Sequence, residues 1–176
     1  MVIPIRRVGS NEMAHSLQSD DWIWVMPSRV RRGDVIVMTD PLDDGRRVLR
    51  RVIAEPGQMI SYDDGIIRID GKRIRQSQQG THNDREVFEE VIWSRPPAQA
   101  TRWSITRQIP PAKWKTSEAI EVPQGHWYVL ADARDDALDS RWWGTIDQSE
   151  VHGVVRARWS SADPLRTRLQ LLLPAQ

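Results

Sequence analysis

Nine residues near the start of the chain, GSNEMAHSL (9–17), gather Ser10, Glu12, His15 and Ser16 in one short loop. These side chains belong to hydrolase chemistry: a hydroxyl attacks a carbonyl while an imidazole or carboxylate takes its proton. A serine nucleophile needs such a base, usually His or Lys. His15 and Ser16 are sequence neighbours and cannot easily face each other. The lysines are Lys72, Lys113 and Lys115. Lys72 falls in a hairpin turn and the other two in a Pro-rich stretch, so none sits on a core strand where burial would lower an amine's pKa. A second cluster, ADARDDALDSRWWG (131–144), crowds Asp132, Asp135, Asp136 and Asp139 together. It lacks the central Gly and closing Glu of a calcium loop, and two arginines stand among the ligand positions. Asp–Arg pairs that organise a loop are the expected reading. The four histidines (15, 82, 126 and 152) show no metal-ligand spacing. Neither a metal nor a cofactor is expected.

Composition narrows the class. The 176 residues suffice for one sizeable core, and 39% hydrophobic with 28% charged residues is ordinary for a globular protein. A formal net charge of +1 carries no commitment to nucleic acid or to an anionic membrane. Arginines interleave with aspartates, as in RRGD, which reads as a solvated mixed surface rather than a phosphate-tracking stripe. Cysteine is absent, which excludes disulfides and a thiol nucleophile. MVIPIRRV is too short an apolar run for a signal-peptide core, and LQLLL (169–173) is far short of a membrane span. The sequence is therefore expected to be soluble, without a membrane span, and cytoplasmic by default.

The elements that must position these residues are mostly strands. WIWV (22–25), DVIVM (34–38), RVLRRVIA (47–54), IIRID (66–70) and HWYVL (126–130) are short and rich in β-branched or aromatic residues. Turn formers bound them: PSRVRRGD, PLDDG, EPGQ, DDG, DGK and VPQG. DDG (63–65) and DGK (70–72) read as hairpin turns, because Gly supplies the positive φ. Helical periodicity is confined to NEMAHSLQS (11–19) and PLRTRLQLLL (164–173). The expected fold is mainly β, a barrel or coiled sheet. Residues 73–121 differ in being polar, with Pro pairs at 96–97 and 110–111; FEEVIWS and TRWSITRQI there could pair as a further hairpin. Residues 75–120 are read as a small β-rich cap inserted in a single domain spanning 1–176. Of nine tryptophans, Trp22 and Trp24 share one strand face and serve packing or partner contacts.

Taken together, these segments resemble bacterial type I signal peptidases, serine proteases with a Ser–Lys dyad on a coiled β-sheet. RRGDVIVMTDP (31–41) is similar to the box RGDIVVF followed by Pro, and VLRRVIAEPGQMI (48–60) to YIKRVIGLPGD. DGIIRIDGKRI (64–74) resembles the G-x-x-x-x-N-G-K hairpin. VPQGHWYVLADARDDALDSRWWGTI (122–146) resembles VPxGxYFVMGDNRDNSxDSRYWGxV, and EVHGVVRARWS (150–160) resembles the IVGKA…WS ending. The resemblance covers most of residues 8–160, with the insertion only loosely matched.

The resemblance implies specific site positions. The family's nucleophile loop reads P-S-G-S-M-x-P-T-L-x-x-G-D, and laid ungapped on residues 9–21 it keeps Met13, Leu17 and Asp21 in register. The catalytic Ser position is Glu12, the Lys position is Arg50, and the Ser that orients that Lys is Ala137. Ser10 matches the residue whose hydroxyl assists the oxyanion hole. The positions Asp132, Arg134, Asp135, Asp139, Ser140 and Arg141 match the family's structural loop. Arg is never effectively deprotonated and cannot serve as the base, and Glu12 has no hydroxyl. A Glu12–Arg50 ion pair is expected where the dyad would be. The implied function is an inactive signal peptidase-like module that binds a protein or peptide, or joins a larger complex, with the partner unidentified. The alternative is a divergent active serine-type signal peptidase cleaving preproteins. Members of the family are membrane-anchored and extracytoplasmic.

Overall fold

The structure, a computed structural model, describes residues 5–63, 65–93, 100–109, 118–159 and 170–171. The Pro pairs at 96–97 and 110–111, together with Lys113 and Lys115, lie outside the described residues. In chain order the elements are β1 (Ile5–Arg7), β2 (Trp22–Met26), β3 (Val35–Asp40), β4 (Asp43–Ala54), β5 (Met59–Asp63), β6 (Ile66–Ile69) and β7 (Lys72–Arg73). There follow β8 (Arg75–His82), β9 (Arg85–Trp93), β10 (Ala100–Gln108), β11 (Ile120–Glu121), β12 (His126–Leu130) and the single-turn helix α1 (Ser140–Trp143). β13 (Ile146–Asp147), a 3-10 turn (Gln148–Glu150), β14 (Val151–Trp159) and β15 (Gln170–Leu171) complete the described elements.

The main sheet has the order β1-β2-β14-β3-β4-β12-β13, with β15 added to β14. β14 pairs with both β2 and β3, and its register shifts once against each. Such irregularities bend a strand and raise its twist, and here they curl the sheet. The result is that β1 and the start of β4, four places apart in the order, line one groove. Gly153 sits within the shift: a Cβ there would lie 2.7 Å from a Val25 methyl, so the close approach of β14 to β2 requires a residue without one.

Every strand read from the sequence is present. DGK forms a two-residue turn between Ile69 and Lys72, with Asp70 at φ 50° and Gly71 at 75°. FEEV and TRWSITRQ do pair, as β9 with β10. The PLDDG turn is shorter than expected. It closes at Pro41–Leu42, and Asp43–Gly45 already belong to β4. NEMAHSLQS is not a helix. It is a run of turns in which Leu17 N donates to Met13 O at 2.8 Å. His15, at φ 79°, lies inside that turn and keeps it from continuing as an α-helix, since the left-handed region cannot extend one. Of the expected helix at 164–173, the described residues Gln170–Leu171 are instead a short strand edge on β14. Among the described residues the one α-helix is α1, whose four residues are too few to show a periodicity in the sequence.

Two packing regions matter for the site. Met13 and Leu17, 1% and 0% exposed, join Val8, Ile23, Val25, Val35, Val37 and Val155 in one cluster. Burying each contributes about 1.5–3 kcal/mol, which anchors the 9–17 loop without a helix. Farther along, Ile92, Trp103 and Ile105 from β9–β10 pack with Ile53, Tyr128 and Leu130 of the main sheet. The cap strands and the main sheet thus share a core.

The link between β2 and β3 turns at Gly33, whose φ is +87° and whose added Cβ would stand 2.3 Å from the Thr101 methyl on β10. Gly33→Ala is expected to cost at least about 1–2 kcal/mol, from the positive φ alone. A midpoint in urea indistinguishable from wild type would refute it.

Candidate active site

The site is assembled from three segments. The 9–17 loop brings Ser10 and Glu12, β4 brings Arg50, and the loop after β12 brings the carbonyl of Leu138. Backbone pairing joins the first and third, since Ala133 N donates to Glu12 O at 3.0 Å. Arg50 is fully buried among the large side chains. Its Nη1 donates to Glu12 Oε2 at 3.0 Å and to Leu49 O at 2.6 Å, while Nε and Nη2 both donate to Leu138 O, at 3.0 and 2.7 Å. All three guanidinium nitrogens are engaged, and the group lies 5.9 Å from the Trp143 ring. The expected Glu12–Arg50 pair is therefore formed. Leu138 O, directly after Ala137, accepts two of the guanidinium's bonds. No sequence signal marks a backbone carbonyl, which is why this partner was not foreseen.

Glu12 is one-fifth exposed and has two further partners. Ser10 Oγ donates to the same Oε2 at 3.3 Å, and Arg46 Nη2 approaches Oε1 at 3.4 Å. Two guanidinium groups and a hydroxyl thus surround this carboxylate and occupy both of its oxygens. His15 and Ser16 do not meet as a dyad. The His15 ring stands edge-on to His82 at 6.3 Å, and Ser16 Oγ accepts from Arg51 Nη2 at 3.0 Å.

A groove of about 490 Å³ opens beside Glu12. β1 and Gly9–Ser10 form one wall, Arg46–Leu49 of β4 the other, and Ile23 and Val37 lie between them. β1 ends the sheet, and residues 43–49 of β4 pair only with β3 among the described residues. Both walls thus carry a strand edge open to a further strand.

The 131–144 loop is knit by its own charges. Asp139 caps α1 by accepting from Arg141 N at 3.1 Å, accepts from Ala131 N at 3.1 Å, and takes Arg141 Nε and Nη2 at 2.7 and 2.6 Å. Ser140 Oγ accepts from Val129 N at 2.9 Å. Asp132 forms a two-bond pair with Arg51, and Arg134 one with Glu90. Asp135 accepts from Gln108 N at 2.7 Å, and Asp136 pairs with Arg85 at 2.6 Å. Among the described residues no group of three or more His, Cys, Asp or Glu is placed to hold a metal ion. Nor is any described helix long and apolar enough to cross a membrane.

Residues 1–160 match the family model for signal peptidase, peptidase S26. The chain belongs to the signal peptidase family. Relatives include signal peptidase I from Pseudomonas fluorescens, 27% identical over 146 residues, covering 74% of this chain and 49% of that protein. Signal peptidase I from Rickettsia prowazekii (strain Madrid E) is 30% identical over 142 residues, covering 72% and 52%. The chain spans about half the length of these relatives. A crystal structure of a signal peptidase I from Enterococcus faecalis V583 is 23% identical over 73% of this chain and 98% of that one, with a TM-score of 0.46. Membership in the signal peptidase family agrees with the mainly β fold and the order of the sequence boxes. It brings with it the relatives' name, not the identity of the residues at positions 12 and 50.

Proposed function

We propose that this chain is a signal peptidase-like domain, a single unit with a β-rich cap at 75–120, that binds an extended peptide but does not perform Ser–Lys hydrolysis. The observation that carries the reading is the engaged Arg50 guanidinium beside the Glu12 carboxylate. A guanidinium cannot take the proton of an attacking hydroxyl near neutral pH, and the position of that hydroxyl is filled by a carboxylate. The groove between the open edges of β1 and β4 supports peptide binding by strand addition. Asp132, Arg134, Asp135, Asp139, Ser140 and Arg141 act in this reading as the frame that holds the site, with Ser10 and Ala137 as remnants of the oxyanion and orienting positions.

The relatives favour a second reading, since they are named signal peptidase I; on that count an active serine-type endopeptidase has the stronger support. In this chain its specific foothold is the Ser10 hydroxyl 3.3 Å from Glu12, a nucleophile beside a carboxylate. Arg50 and Arg46 already occupy the two oxygens of that carboxylate. Incubation with an Ala-x-Ala peptide separates the readings. No turnover above a buffer control is expected. Cleavage that disappears in Ser10→Ala or Glu12→Gln would establish the active peptidase instead.

A further inference from the structure

RVRRGD (29–34) mixes both charges in sequence, but the fold separates them. The Asp34 side chain, 2% exposed, is turned inward to Arg156 Nη1 at 2.8 Å and accepts from Arg31 N at 2.9 Å. The Arg29 and Arg31 side chains remain exposed on the wall of a cleft of about 1290 Å³, on other residues than the groove beside Glu12. The β6–β7 hairpin and the start of β8 form further walls and add Lys72, Arg73 and Arg75. Arg32 is the sixth cation, and it is already occupied by Gln58 and Glu55.

Among the described residues two carboxylates line the cleft, and both are committed. Glu55 accepts from Arg32 N at 3.0 Å, and Asp70 accepts from Met59 N at 3.0 Å and Gln58 Nε2 at 3.2 Å. Among the described residues no carboxylate lies within ion-pair distance of Arg29, Arg31, Lys72, Arg73 or Arg75. Asp34 and Asp63 act on Arg31 and Arg73 from beyond ion-pair distance, and five cations around one concavity still repel one another and raise the local concentration of anions. Arginine forks favour phosphate oxygens in particular. The cleft exceeds the usual 300–1,000 Å³ of a small-ligand pocket, so one phosphate would leave most of it unused. Among the described residues Trp127 is the lone aromatic in its lining, and these residues offer no run of stacking platforms for bases.

We propose that this cleft binds a ligand carrying several linked phosphate groups, held by Arg29, Arg31, Lys72, Arg73 and Arg75. The test is titration calorimetry of the whole chain with tripolyphosphate at about 50 mM salt, where such contacts are least screened. Wild type is expected to bind, and R29Q/R31Q/K72Q/R73Q to bind at least tenfold more weakly with an unchanged circular dichroism spectrum. R6Q/R47Q, which alters the groove beside Glu12, is expected to bind as wild type. The proposal is overturned if wild type gives no binding heat, or if the fourfold variant keeps wild-type affinity. It is equally overturned in favour of nucleic acid if a single-stranded oligonucleotide binds more tightly than tripolyphosphate.

Discussion

Asp132→Ala is expected to remove about 3–5 kcal/mol of folding stability, the cost of leaving a buried charge without its partner. Asp132 is fully buried, and the Arg51 side chain is 9% exposed. They share two bonds, Nε to Oδ1 at 2.8 Å and Nη2 to Oδ2 at 2.6 Å. Without the carboxylate, Arg51 keeps only Gly33 O, Ser16 Oγ and the face of Trp103. The pair also ties three site segments together: β4 through Arg51, the 9–17 loop through Ser16, and the post-β12 loop through Asp132. A loss of that size is a large part of the 5–15 kcal/mol that holds a typical domain. Replacing both partners, as in Arg51→Met with Asp132→Leu, should recover much of it, because the desolvation of both charges is then removed as well. Urea unfolding of the two single variants and the double variant supplies the coupling energy. A loss below about 1 kcal/mol for Asp132→Ala would show that the pair contributes as little as a surface bridge.

The sequence made the strands legible because their signals are local. Alternating Val and Ile with Gly-containing turns marked β3, β6 and the DGK hairpin to within a residue or two. It also pointed to Glu12 and Arg50 as an ion pair, which the fold forms at 3.0 Å. What it could not carry were contacts that depend on the path of the backbone. Leu138 O as a partner of Arg50 is a backbone atom, and Ser16 as a partner of Arg51 joins residues that only the curled sheet brings together. NEMAHSLQS has helical spacing, but Met13 and Leu17 bury equally well from a turn, and tertiary packing outranked the weak local preference. RRGD read as a mixed surface because sequence order hides that Asp34 turns inward while Arg31 turns out. Glu90 did leave a trace. It is a carboxylate beside the run Val91–Ile92 on a strand, where an inward position predicts an expensive burial unless a cation waits opposite.

Glu90→Ala is expected to be as damaging as Asp132→Ala, about 3–5 kcal/mol, and to act on a different part of the molecule. The Glu90 carboxylate is fully buried and accepts four bonds: Arg134 Nη1 at 3.1 Å and Nη2 at 2.6 Å, Trp103 Nε1 at 2.7 Å and Gln76 Nε2 at 2.7 Å. Burial works most strongly against the Arg134 cation, yet Glu90, with Tyr62 and Asp132 adding to it, holds the guanidinium above its ordinary pKa. Removing Glu90 leaves that cation, 3% exposed, with Ala131 O as its remaining acceptor. The three partners of Glu90 lie on β8, β10 and the post-β12 loop, so the damage should appear where β8–β10 meet the site. Hydrogen exchange is the measurement, and faster exchange in 75–93, 100–108 and 131–139 is the expected result. Exchange that changes only within β9 would mean that Glu90 stabilises its own strand and does not hold the cap. Glu90→Gln keeps the shape and an acceptor but not the charge, and should fall between wild type and Ala. The consequence reaches the site, because Arg134 O accepts from Arg141 Nη2 at 2.6 Å and Arg141 fixes Asp139. Asp139 follows Leu138, whose carbonyl holds Arg50. A charge lost from β9 is therefore expected to loosen Arg50, the buried cation that pairs with Glu12.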